Sequence, residues 1–374
     1  MNITMVDLTG QYNKIRKEID EAVLNEIRLG QYINGRAVKE FQAELEQYLA
    51  VRHVVPCANG TDALQIALMA LDLQVGDEII VPAFTFVSTA EVIGLLKLKP
   101  VLVDVDIDTF NISTKNLEKA LSKKTKAILP VHLFGLSCAM EPVMDFAQAH
   151  HLYVVEDNAQ AIGCDYFFSD GSAKKTGTIG DIGCTSFFPS KNLGCYGDGG
   201  ALMSNDDRLA ERCRMIANHG QKEKYHHEIL GCNSRLDALQ AAVLSVKLKY
   251  LDAYIQARQS AAQYYTAGLS DIDAIDLPRT TIRSTHVYNQ YTIRIKNGKR
   301  DALQQFLAKN GVPTMIYYPR PIHEQNAFKS IVSIAEPLNV SNYLSENVLS
   351  LPMHTELSGT VQDFIIRKMH DFFS

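Results

Sequence analysis

The sequence predicts an α/β protein: a large domain built on a mainly parallel sheet, followed by a small C-terminal α/β domain. Three observations point there. Between residues 53 and 159 short apolar runs alternate with segments of helical period, the pattern of strands buried on both faces and separated by crossover helices. Beyond a long helical segment at 234–268, a second and shorter set of strand and helix patterns begins. The 374 residues, 46% apolar and 21% charged, are ample for a sizeable core and ordinary for a globular chain.

In chain order, 13–30 and 37–51 have amphipathic helical spacing. The strands are expected at "HVVPC" (53–57), "EIIVP" (78–82), "PVLVDVD" (100–106), "KAILPVH" (126–132) and "YVVEDNA" (153–159). Helices are expected between them at 61–73, 88–98, 113–122 and 140–151. "CTSFFPS" (184–190) and "GALMSN" (200–205) read as further, neighbouring strands. The segment 234–268 reads as one extended helix joining a large domain, 1–250, to a small one, 251–374. In the latter, 289–295, 312–318 and 347–353 are strand-like and 300–311 is helical.

The formal net charge of −5 leaves no basic field for nucleic acid or an anionic membrane. Seven scattered cysteines with no C-x-x-C pair suggest reduced thiols. No window approaches a membrane span, and the first twenty residues carry no apolar leader, so a cytoplasmic protein is expected. "YHHE" (225–228) lacks the i, i+4 histidine spacing of helical zinc motifs, and no metal is expected.

In an open α/β sheet, ligands collect beyond the carboxyl ends of the strands. After "HVVPC" come Gly60 and Thr61 at a helix start, either a phosphate site or a plain cap. After "EIIVP" comes Phe86, able to stack on a flat heterocycle or to join the core. Asp157 ends the "YVVED" strand, as a helix cap or as partner for a protonated ring nitrogen, and Gln160 follows one turn later. Ser186 and Lys191 end the series. A lysine between an apolar strand and a glycine-rich turn is placed for desolvation, which makes an amine a competent imine former. Taken together these residues match the needs of pyridoxal phosphate: an amine for its aldehyde, a carboxylate for its ring nitrogen, a phosphate cup and an aromatic for its ring face.

At this point the chain resembles a known family. "CANGTDAL", "VPAFTFVSTAE", "VVEDNAQAIG", "TSFFPSKNLGCYGDGGA", "NSRLDALQAAVL" and "YYPRPIHEQ" are similar to the DegT–DnrJ–StrS sugar aminotransferases, fold-type-I enzymes of the aspartate aminotransferase superfamily. The resemblance implies that Lys191 carries the pyridoxal phosphate, Asp157 pairs with its ring nitrogen, Gln160 contacts its ring hydroxyl and Phe86 stacks on it. It also implies that Gly60, Thr61 and Ser186 hold the phosphate, and that Asn233 reaches the phosphate of a neighbouring subunit, so that a homodimer shares its active sites. The implied substrates are L-glutamate and a nucleotide-linked keto-sugar.

Through "CANGTDALQIA", "FFPSKNLGCYGDGGA" and "KYHHEILGCNSRLD" the likeness leans toward enzymes of O-antigen synthesis acting on UDP-N-acetyl-3-oxo-glucuronate. Arg235 is then the candidate cation for a substrate anion, or a surface helix arginine. Tyr317 and Tyr318 stand where that subgroup has His-Tyr; Tyr318 matches, Tyr317 departs, and a 4-keto-6-deoxyhexose nucleotide is the alternative substrate. His323 sits near these as a further candidate or a structural histidine. A non-catalytic regulatory role is the remaining alternative. The lysine in "FFPSKN" argues against the family's dehydratases, which carry histidine there.

Overall fold

The computed structural model describes residues 3–374. At its centre lies an eight-stranded sheet of β1 (His53–Cys57), β2 (Glu78–Pro82), β3 (Lys99–Val103), β4 (Thr125–Ile128), β5 (Tyr153–Asp157), β6 (Ile182–Ser186), β7 (Gly200–Ser204) and β8 (Ser333–Ile334). Their order is β1-β7-β6-β5-β4-β2-β3-β8. Only β7 runs against its neighbours, β1 and β6; every other pairing is parallel.

Side chains alternate faces along each strand, which explains the continuous apolar runs. Ile79, Val81, Val55 and Leu202 join the core under the helices α3 (Gly60–Ala70), α4 (Ser88–Leu95) and α6 (Asp207–Ala217). Ile80, Val101, Val103 and Val154 point to the other face, against α5 (Met140–Ala149). Val54, Ala201 and Met203 face α2 (Arg36–Leu49) and α7 (Ala238–Leu248), with α1 (Leu8–Leu29) outside α7. The strands expected in this half are therefore present, as are its expected helices except that at 113–122.

Three local expectations are corrected. The segment 234–268 is two helices, α7 and α8 (Leu251–Leu269), separated by a turn at Lys249–Tyr250. The apolar period runs through the turn, but α7 packs on α1 and α2 while α8 packs on α11 (Gly359–Phe373), and one straight rod cannot follow both. Residues 114–120 form a 3₁₀ segment broken at Asn116 rather than an α-helix. Residues 312–318 are not a strand; Met315 alone bridges to Ser350. The helix α6 and a hairpin of Gln221–Glu223 with His226–His227 were not foreseen.

Past α8, an antiparallel sheet of Ile275–Asp276, Tyr291–Ile295 and Val348–Leu351 packs with α8, α9 (Arg300–Lys309) and α11 around Tyr265, Tyr291, Leu303 and Leu349, with α10 (Asn339–Asn347) against Tyr291–Ile295. Two segments cross between the halves. Ile3 is buried in this second core, and β8 extends the large sheet beside β3. Six cysteines are buried and Cys232 is half-buried, all as free thiols.

Candidate active site

The carboxyl ends of the parallel strands converge on one cavity of about 450 Å³. From β1 the chain turns directly into α3, capped by Asn59, whose side chain accepts from the Asp62 N–H at 2.8 Å. Gly60 lies against Ser186 at the end of β6: a Cβ on Gly60 would stand 2.7 Å from the Ser186 Cβ. The Thr61 hydroxyl lies 2.7 Å from that of Ser88, at the start of α4. Three hydroxyls and two helix N-termini thus face one small concavity, a geometry suited to a phosphate.

Asp157, at the end of β5, is 5% exposed. One carboxylate oxygen accepts from the Thr89 hydroxyl at 3.0 Å, the other from the Ala159 N–H at 3.1 Å. Burial raises its pKa, while the Ala159 and Thr89 hydrogen bonds and the Lys191 charge oppose the rise. Lys191 sits in the tight loop between β6 and β7, where its N–H donates to the Phe188 carbonyl at 2.8 Å. Desolvation lowers its pKa to about 8, with Asp157 acting in the other direction. A carboxylate and an amine of depressed pKa therefore share one pocket, the arrangement of a reactive rather than a merely solvated lysine.

Gln160 has its amide fixed at both ends. Its Oε1 accepts from the Phe134 N–H at 2.6 Å and its Nε2 donates to the Tyr318 hydroxyl at 3.0 Å. Phe86 is half exposed at the cavity mouth, its ring centroid 6.0 Å from that of Tyr318. Tyr317 lines the same wall, and burial raises the pKa of both tyrosines.

The cavity brings together Gly60, Thr61, Phe86, Asp157, Gln160, Ser186, Lys191, Tyr317 and Tyr318. It does not include Asn233, Arg235 or His323. Asn233 and Arg235 line a separate outer hollow with Ile33 and Gln240, which meets the main cavity at Asp198. Sequence reasoning missed Thr85, Ser88, Thr89, Asp198 and Gln290. The "FTFVST" run held a signal for one of them, Thr85, since a hydroxyl just beyond a strand end falls on the ligand side of the sheet.

Among relatives, the chain is 44% identical over 100% of its length to a "Pleiotropic regulatory protein" of Geobacillus stearothermophilus, covering 99% of that protein. It is 42% identical over 95% of its length to the UDP-2-acetamido-2-deoxy-3-oxo-D-glucuronate aminotransferase of Pseudomonas aeruginosa, covering 96% of it. It is also 42% identical over 95% to a UDP-N-acetyl-3-dehydro-alpha-D-glucosamine 3-aminotransferase of Acidithiobacillus ferrooxidans, covering 94% of it. The crystal structure of a DegT DnrJ EryC1 StrS aminotransferase from Brucella abortus superposes with a TM-score of 0.95 at 40% identity, each chain covered completely. A Bacillus subtilis protein crystallised with bound cofactor PMP superposes at 0.89 with 29% identity, over 96% of this chain and 82% of that one. The aminotransferase family model matches residues 13–370. This chain belongs to the DegT/DnrJ/EryC1/StrS aminotransferase family.

Proposed function

We propose that the Lys191 cavity holds pyridoxal phosphate and that the protein moves an amino group from L-glutamate to the keto carbon of a nucleotide-linked sugar. The observation that carries this reading is a lysine of pKa about 8 sharing a cavity with the buried Asp157, beside a hydroxyl-lined cup too narrow for a side chain on Gly60. The cup fits a phosphate, Asp157 a protonated ring nitrogen, and Lys191 an aldehyde. Pyridoxal phosphate supplies that aldehyde and a ring that takes up an electron pair. Thr61, Ser88 and Ser186 would bind the phosphate, and Phe86 would cover the ring. Gln160, held by Phe134 and Tyr318, would aim its amide N–H at the ring hydroxyl. Lys191 Nζ, once freed by the incoming amine, would carry the proton between the substrate carbon and the cofactor.

The favoured acceptor is a UDP-linked 3-oxo sugar, UDP-2-acetamido-2-deoxy-3-oxo-D-glucuronate, with the product passing into surface polysaccharide such as O-antigen. Its support is that two relatives of 42% identity bear names describing amination at sugar carbon 3. A neutral keto-hexose on UDP or dTDP is the second reading. It is favoured by Lys191 being the one cation lining the cavity among the described residues, with Tyr317 and Gln290 as uncharged neighbours. A uronate carboxylate would then need a cation from a second subunit, and Arg235, beside Asn233 on the outer surface, is the candidate. Both residues would complete the partner's site in a homodimer working in the cytoplasm.

The test is borohydride reduction of the cofactor-loaded protein with peptide mapping, followed by assays on 3-oxo-uronate, 3-oxo-hexosamine and 4-keto-6-deoxyhexose nucleotides with glutamate. A label at position 191, lost in Lys191→Ala together with all turnover, is expected. An active, unlabelled protein refutes the reading. Mixing Lys191→Ala with Asn233→Ala under subunit exchange should recover activity that neither variant has alone; no recovery would mean that each site is complete within one chain.

A further inference from the structure

Lys247, on α7, is outside the cavity and 1% exposed. Among the described residues its one hydrogen bond goes to the carbonyl oxygen of Gly194, and its ammonium stands 5.2 Å from the centre of the Tyr196 ring. The cation acting on it is the like-signed Arg258, whose guanidinium donates to the carbonyls of Tyr288 and Met353. Among the described residues no carboxylate pairs with it. An ammonium so placed is expensive, and a methionine would fill the same space without the cost.

What the charge gains is a hold on one loop. Gly194 is three residues past Lys191, and a Cβ there would lie 2.3 Å from the Pro189 carbonyl oxygen, so the loop is folded tightly on itself. Its first half is tied by the Asn192 amide, which donates to the Val287 carbonyl at 2.9 Å. Its second half is tied by the Cys195 thiol, which donates to the Phe187 carbonyl at 3.0 Å, and by two side chains of α7. Gln240 accepts from the Tyr196 N–H at 2.8 Å and donates to the Tyr196 carbonyl at 3.3 Å, and Lys247 takes the Gly194 carbonyl. Gln240 and Lys247 are seven residues apart, hence on one face of the helix. The same loop carries Lys191 and Asp198, both on the cavity wall.

We propose that Lys247 is a positioning residue, its ammonium clamping the Gly194 carbonyl and the Tyr196 ring so that the loop presents the Lys191 side chain to the cofactor. This rests on Lys191 being the cofactor lysine. The contribution is indirect: Lys247 touches neither cofactor nor substrate, and acts by fixing the backbone from which Lys191 projects. Small displacements of such a backbone cost reactivity steeply.

The test uses the cofactor-loaded full chain with Lys247→Met, Lys247→Arg and Tyr196→Leu. Expected for Lys247→Met are an unchanged far-UV spectrum, roughly tenfold weaker binding of pyridoxal phosphate, a lower yield of borohydride label at position 191, and a fall in kcat with unchanged KM for the sugar nucleotide. Lys247→Arg, which keeps a cationic donor, should recover part of the loss. Should Lys247→Met fail to fold, Tyr196→Leu decides: Tyr196 is 39% exposed, so its removal spares the core and should give a smaller loss in the same direction. A folded Lys247→Met with wild-type cofactor affinity and labelling overturns the proposal, as does a Tyr196→Leu indistinguishable from wild type. An unlabelled position 191 in the wild-type protein is a different result, and removes the underlying reading itself.

Discussion

Thr89 shows how much rests on single side chains. Its hydroxyl is the only side-chain donor to Asp157 among the described residues, and replacing it with valine leaves a buried carboxylate oxygen without that bond. A hydrogen bond to a charged group is worth about 1.5–3 kcal/mol, so Thr89→Val should lower kcat/KM roughly ten- to a hundredfold, with Asp157 taking up its proton at higher pH. The kcat/KM–pH profile checks both. Lys191 makes a second prediction. In cofactor-free protein only the neutral amine attacks an aldehyde, so the rate of pyridoxal phosphate capture should rise through a midpoint near pH 8, the value to which burial lowers this amine. The Asp157 charge holds that midpoint up, so Asp157→Asn should move it lower. Stopped-flow absorbance against pH reads both midpoints; a wild-type midpoint near that of an exposed lysine would mean that burial at this site does not act as described. Lys191 and Asp157 were legible in the sequence because strand ends in a parallel sheet point at the ligand. Thr89 was not, because a threonine inside a helical pattern carries no mark of the strand it faces.

At the scale of elements, the tightest constraint is where α3 starts against β6. Gly60 has no room for a methyl beside Ser186, and Gly60→Ala should cost about 1–3 kcal/mol by overpacking. Urea unfolding measures that loss, and fluorescence titration should show weaker binding of pyridoxal phosphate because the same contact forms the cup. Asn59→Ala removes the cap of this helix and should cost about 1 kcal/mol. The start of α3 was readable to within a residue or two, with a cap expected at Thr61, although the side chain that caps the helix is that of Asn59. The break between α7 and α8 was not, since neither glycine nor proline stands between 238 and 267 to mark the turn, and the two helices differ only in what they pack against.

For the whole molecule, Arg258 is the seam. Buried at 3% exposure on α8, it donates to the carbonyls of Tyr288 and Met353, which belong to the C-terminal part, while α7 just before it backs the Lys191 loop. Burial lowers its pKa to about 10, so it stays charged at neutral pH. Arg258→Met leaves those carbonyls without their donor and should destabilise the chain by about 3 kcal/mol in urea unfolding. The effect on Tyr317 and Tyr318 should appear as a raised KM for the sugar nucleotide, because the two tyrosines pack on the large-sheet core while Val312 and Ile316, just before them, are held in the second core. An unchanged KM would mean that the wall is held in place without Arg258.

The sequence by itself determined the strand and helix alternation, the parallel character of the sheet, and the set of residues collected at its carboxyl edge. Those follow from burial on two faces and from the direction of parallel strands, both of which are written into local patterns. Tertiary structure alone decided that β7 runs against the rest, that β8 returns from the C-terminal part, and that Thr89, Ser88 and Lys247 stand behind the residues the motifs picked out. Each of these is a meeting of segments far apart in the chain, and no local pattern encodes which distant partner a hydroxyl or an ammonium will find.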